Sequence, residues 1–147
     1  MTSKELDNLV RIGSLKQEPG DQREFNGLLK LGRIKLADAK NSKLSAESQF
    51  DLAYNAAHSL ALAAMRWHGY RPNQNRYFVF QALPHTLGLK PDIVRVLGKS
   101  HSERNLAEYQ GSTEIDAQLL SDLIAAAQML LNEVVKLKPI PKPPSKS

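Results

Sequence analysis

The segment from Ser45 to His68, SAESQFDLAYNAAHSLALAAMRWH, constrains the fold more than any other part of this chain. Phe50, Ala53, Tyr54, Ala57, Ala61, Ala64 and Met65 recur at helical spacing. Leu52, Ala56, Leu60, Ala63 and Trp67 cover the other side. A helix that is apolar on nearly every face has to be surrounded by others. Its many alanines let those neighbours come close, and Ser45 is its expected N-cap.

The rest of the chain supplies the neighbours. A short first helix is expected over Ser3–Ile12, and KQEPGDQRE breaks it. Asp21 and Glu24 have the spacing of a capping box, which opens a helix to about Asn41. Its apolar stripe is Phe25, Leu28, Leu29, Leu31, Ile34 and Leu36. GYRPNQNRY reads as a loop, and YFVFQALPHTLGL as a short helix or turn broken near Pro84. RYFVF is the one run with strand-like character, and it is short. Pro91 and Asp92 suit the first turn of a helix ending at Gly111. Thr113 and Asp116 open a last amphipathic helix carrying Leu119, Leu123, Ala127, Leu130 and Val134.

This pattern predicts an all-α fold, an up-and-down bundle of four to five helices. Residues 1–20 read as a short helix and linker, 21–137 as the bundle, and 138–147 as a disordered Pro- and Lys-rich tail. A chain of 147 residues with 41% hydrophobic content suits one domain with a real core. The absence of cysteine excludes disulfides, thiolate zinc sites and cysteine nucleophiles. MTSKELDNLV has no apolar signal region, and SLALAAMRW is too short to span a bilayer. A soluble, cytoplasmic protein is expected.

Charge points weakly toward an anionic partner. The formal net charge is +5, and the tail lysines Lys138, Lys142 and Lys146 supply three of those charges. More telling is the stretch from Leu52 to Pro91, which holds no Asp or Glu but carries Arg66, Arg71, Arg76, Lys90 and three of the four histidines. Such a one-sign region can attract phosphate, although a buried helix with a few solvated arginines would read the same way. Trp67, Tyr70 and Tyr77 interleave with those arginines, a pattern that can stack bases between cations but also suits a helix end and loop. The binding candidates here are Arg66, Tyr70 and Arg71. The four histidines have no metal-ligand spacing, and no Gly-rich phosphate loop is present. No metal or cofactor is expected.

The most unusual stretch is GKSHSERNLAEYQG, residues 98–111. His101, Arg104, Asn105 and Glu108 stand at i, i+3, i+4 and i+7, one face of a helix that Tyr109 extends. Val94 and Leu97 lie upstream on the same side, so a core-feeding face continues as a polar one. A solvated face, a local Arg104–Glu108 ion pair and an inert core histidine are structural explanations. The functional one is an anion site. Arg104 offers a planar fork to phosphate, Asn105 a polar neighbour, His101 a proton carrier near neutral pH, and Glu108 an orienting group.

RNLAEYQG late in the penultimate helix resembles the HEPN superfamily (higher eukaryotes and prokaryotes nucleotide-binding). FDLAYNAAHSLALAAMRWHGYRP is similar to the central helix of its bacterial members. The resemblance spans roughly Phe25 to Leu137. It implies a helical bundle that pairs as a homodimer and interacts with RNA or nucleotide. It further implies a metal-independent endoribonuclease of the kind found as toxins beside a nucleotidyltransferase-like antitoxin. The family motif is an Arg, often with a polar neighbour, followed by a His. Arg104 and Asn105 match its first part. Where the His would fall stand Tyr109, Gln110 and Gly111, and the nearby histidine is His101, one turn before Arg104. On this resemblance His101, Arg104 and Asn105 are the catalytic candidates. The alternative is a non-catalytic interaction protein using the same face, with Tyr109 in place of the motif His.

Overall fold

The computed structural model describes the backbone of residues 4–110 and 114–141, with side chains for 4–106 and 114–141. The elements are α1 (Lys4–Arg11), β1 (Leu15–Gln17), α2 (Gln22–Ala39), α3 (Ala46–Trp67), β2 (Tyr70–Pro72), α4 (Phe78–Gln81), α5 (Leu83–Thr86), α6 (Pro91–Gln110) and α7 (Ala117–Val134). The fold is an all-α bundle with one two-stranded ribbon.

α3 is the central helix, as its periodicity requires. It lies against both α2 and α7, while α6 closes the bundle against α7, α3 and the short helices. Ser45 caps α3 by accepting from the Ser48 amide at 3.1 Å. Phe50, Ala53, Tyr54, Ala57, Leu60, Ala61, Ala64 and Met65 are buried. α2 comes very near α3 at Gly32, where an added Cβ would stand 2.5 Å from Leu60 Cγ. α7 buries Leu119, Leu123, Ala126, Ala127, Leu130 and Val134.

Several expectations need correction. Asp21 does cap α2, but it accepts from the Arg23 amide at 2.9 Å, and no capping box forms. Glu24 is drawn instead to Arg66 and Arg71. Leu31 and Ile34 are not core residues: they are 46% and 48% exposed on the outer side of α2. GYRP is partly a strand. Tyr70–Pro72 pairs antiparallel with Leu15–Gln17, in the register Leu15 to Pro72 and Gln17 to Tyr70. Gly69, at φ 86°, makes the turn from α3 into β2, a backbone conformation that glycine alone adopts without strain. RYFVF forms the start of α4 rather than a strand.

Residues 1–20 are not a helix followed by a linker. Leu6 and Leu15 are fully buried, and the ribbon ties this segment to the bundle. Nor does all of 138–147 behave as a loose tail. The Trp67 indole N–H donates to the Lys138 carbonyl at 2.6 Å. The Ile140 amide donates to Gln22 Oε1 at 2.7 Å, and its side chain packs on the core. Prolines on either side lack an N–H, so a few such anchors suffice to lay the backbone across the α2 and α3 ends. Gly111, Thr113 and residues 142–147 lie outside the described residues. Among the described residues, no helix is long and apolar enough to cross a membrane.

Candidate functional site

The polar face of α6 meets the acid-free stretch of α3 and α4. Two turns of α6 present His101, Arg104 and Asn105, while one turn of α3 presents Tyr54 and His58. Tyr77 and Phe80 come from the start of α4. Tyr54 Oη and His101 Nδ1 lie 2.8 Å apart. Asn105 Nδ2 lies 3.3 Å from His101 Nε2. Tyr77 stacks on the imidazole with ring centroids 4.6 Å apart and planes 26° from parallel. The Arg104 guanidinium carbon sits 4.7 Å from the centre of the Tyr54 ring. Phe80 supports the cluster from beneath, meeting Tyr54, His58 and Tyr77 edge-on at 5.7–5.9 Å.

These contacts fix which nitrogen does what. An amide nitrogen facing Nε2 makes Nε2 the acceptor, so Nδ1 carries the proton and donates to the Tyr54 oxygen. Nε2 then keeps a lone pair on the outer side, held by a long bond from the exposed Asn105. If Nε2 gains a proton, the Tyr54 oxygen already stabilises the imidazolium from behind. This is the carboxylate–histidine arrangement in a milder form. Tyr54 stays a neutral phenol, because burial pushes its hydroxyl pKa up, against the opposing charge of Arg104.

His58 has a different character. Burial first, and then the positive charge of Arg76, push its imidazole down to about 4. Its Nε2 is buried with no hydrogen-bond partner. His58 is therefore neutral at pH 7 and cannot serve as an acid there. Arg104 is available to an anion: among the described residues no carboxylate pairs with it.

Gly98 lies inside α6 rather than at its start, and its role is steric. An added Cβ would stand 2.7 Å from the Tyr77 hydroxyl, so glycine lets that ring lie against the helix and reach His101.

Of the residues expected from sequence, His101, Arg104 and Asn105 come together. Glu108 and Tyr109 have side chains outside the described residues. Arg66, Tyr70 and Arg71 stand elsewhere, about 18 Å along α3 from Tyr54, and are already committed. Arg66 is 1% exposed. Its Nε donates to Glu24 at 2.6 Å, Nη1 to the carbonyls of Glu18 and Tyr70, and Nη2 to that of Pro19 at 2.7 Å. Arg71 bridges Glu18 at 2.7 Å and Glu24 at 2.6 Å. Tyr70 is buried and donates its hydroxyl to Asp7. No donor of Arg66 and no face of Tyr70 is left for a ligand, so this group clamps the ribbon to α2 and α3.

Tyr54, Tyr77 and Phe80 complete the site. All three lie within the stretch lacking Asp and Glu, and that was the sequence signal for them. Compared with known proteins, the chain matches no family model and no curated sequence.

Proposed function

We propose that this chain is an RNA- or nucleotide-interacting protein of the HEPN kind, with the His101 cluster as its phosphate site. The observation that carries the reading is His101 held between Tyr54 and Asn105, with Arg104 beside it and unpaired by any described carboxylate. Arg104 binds a phosphodiester through its planar fork. Nε2 of His101 takes the proton of the adjacent 2′-hydroxyl, whose oxygen forms a bond to phosphorus. The bond to the 5′-oxygen breaks, and that oxygen takes a proton from the imidazolium or from water. The products are a 2′,3′-cyclic phosphate and a 5′-hydroxyl. Asn105 swings from Nε2 to the phosphate as substrate enters, and Tyr54 positions the imidazole. A homodimer that brings two such clusters together would double the field on one RNA strand.

The test is cleavage of single-stranded RNA by purified protein in EDTA, with cyclic phosphate ends as readout. Arg104→Ala and His101→Ala are expected to abolish it. No cleavage by wild type, or equal cleavage by all three, refutes the enzymatic reading.

One observation favours a second reading, a non-catalytic interaction protein. Both imidazole nitrogens are occupied, and His58, the other histidine of the cluster, is too weak a base to act as the acid. On this reading the face binds nucleotide, or a partner such as a nucleotidyltransferase-like antitoxin, without cutting. RNA bound and recovered intact, with binding lost in Arg104→Glu, would establish it.

A further inference from the structure

Beside the His101 cluster, on the neighbouring strip of α6, lies an open hollow of about 560 Å³. That volume falls within the range of small-ligand sites, roughly 300–1,000 Å³. Its floor is apolar, made by Pro84, Pro91 and Val94, and its rim carries Arg95, Lys99 and Ser102. Tyr77 and Gly98 also line it. Tyr77 thus belongs to both places, since the same ring stacks on His101. Gly98 precedes His101 by three residues, about 4.5 Å along the helix axis. Hollow and cluster are therefore adjacent stations on one path.

The chemistry of the hollow is specific. A flat apolar floor beside an aromatic ring suits a nucleobase, which stacks without regard to its identity. The rim suits the phosphate that comes with it. Arg95 is partly neutralised by Asp92, 3.0 Å away. Lys99 is exposed, and among the described residues it has no ion pair. Both cations also border a second hollow containing Asp116 and Asp122, neither of which reaches them. Lys99 is thus the principal free cation of the rim, with Ser102 as a hydroxyl partner.

We infer that this hollow seats one unpaired base of a single-stranded RNA, its phosphate at Lys99, while the neighbouring phosphate lies on Arg104 and His101. The inference rests on the RNA reading above and adds to it. The substrate is single-stranded, must extend at least one nucleotide beyond the reacting phosphate, and is gripped by a base whose identity is not read. A duplex, whose bases are stacked and paired, cannot fill the seat.

The experiment is fluorescence anisotropy with a 2′-O-methyl hexaribonucleotide, which cannot be cleaved, in its intact form and with one position at a time made abasic. One abasic position is expected to weaken binding about tenfold, the worth of one stacked base. Lys99→Glu is expected to weaken the intact strand by a similar factor. Ser102→Phe fills the hollow from its exposed rim and is expected to erase the abasic penalty. If every abasic strand binds as the intact one does while Arg104→Ala still loses binding, the base seat is overturned and the RNA reading stands. A penalty that persists in Ser102→Phe places the base elsewhere and also overturns it. If wild type binds no RNA, both fall.

Discussion

Arg66 and Arg104 look alike in the sequence, as arginines beside aromatic residues, but the structure gives them opposite roles, and stability measurements separate them. Arg66→Ala removes a side chain that is 1% exposed and makes four hydrogen bonds. It leaves the carbonyls of Glu18, Pro19 and Tyr70 without a donor and removes one of the two arginines at Glu24. Breaking a buried pair from one side costs about 3–5 kcal/mol. For a chain of this size each kcal/mol moves the midpoint by about 2–4 °C, so a drop of roughly 6–20 °C is expected. Arg66→Lys should fall between, because an ammonium cannot reach partners on all sides of a planar fork. Arg104→Ala removes a half-buried guanidinium over one tyrosine ring, worth about 0.5–1 kcal/mol. Urea and thermal unfolding by circular dichroism would measure all three. If Arg66→Ala unfolds within about 1 kcal/mol of wild type, or Arg104→Ala costs as much, the division between clamp and site is wrong.

Three further outcomes follow from the packing. Gly32→Ala should cost about 1–3 kcal/mol by chemical denaturation, because its Cβ would press into Leu60 and drive α2 from α3; a neutral result would mean that the two helices are less closely apposed. Truncation after Leu137 removes the acceptor of Trp67 and the Ile140 anchor. The fluorescence of this single tryptophan should then shift to the red and stability fall by about 1–3 kcal/mol; an unchanged spectrum would show that 138–141 do not pack there. His58 is neutral when folded, whereas its unfolded imidazole charges below about 6.5. Stability is therefore full above that pH and declines as pH falls toward about 4, by about 3 kcal/mol in all. An NMR titration that finds the His58 midpoint near its ordinary value would contradict this.

The helices were legible because their signals are local and repeated. α3 declares itself through alanines and large apolar residues on every face. The polar face of α6 could likewise be read from the three- and four-residue spacings of His101, Arg104 and Asn105. What could not be read are pairings between distant positions. Nothing near His101 reveals that Tyr54, on another helix, supplies its partner, or that Gly98 makes room for Tyr77. The same limit misplaced Arg66. Interleaved with aromatics it resembles a stacking site, because the carboxylates that claim it lie in a segment read as a break. Glu24 fits a capping box locally, yet two arginines compete for it and win. The ribbon was missed since three residues per strand are too few to show alternation. The first residues of the tail were misjudged from composition alone, although proline-rich backbone needs few hydrogen bonds to be held.

The central claim is that the His101 cluster, and not the arginine clamp, meets RNA. A titration of single-stranded RNA into protein labelled at histidine and arginine side chains, followed by NMR in EDTA, tests it most directly. The account predicts that the His101 imidazole and Arg104 guanidinium resonances shift together and saturate, while the Arg66 signals stay fixed. RNA that moves Arg66 and Arg71 and leaves His101 and Arg104 untouched would contradict it.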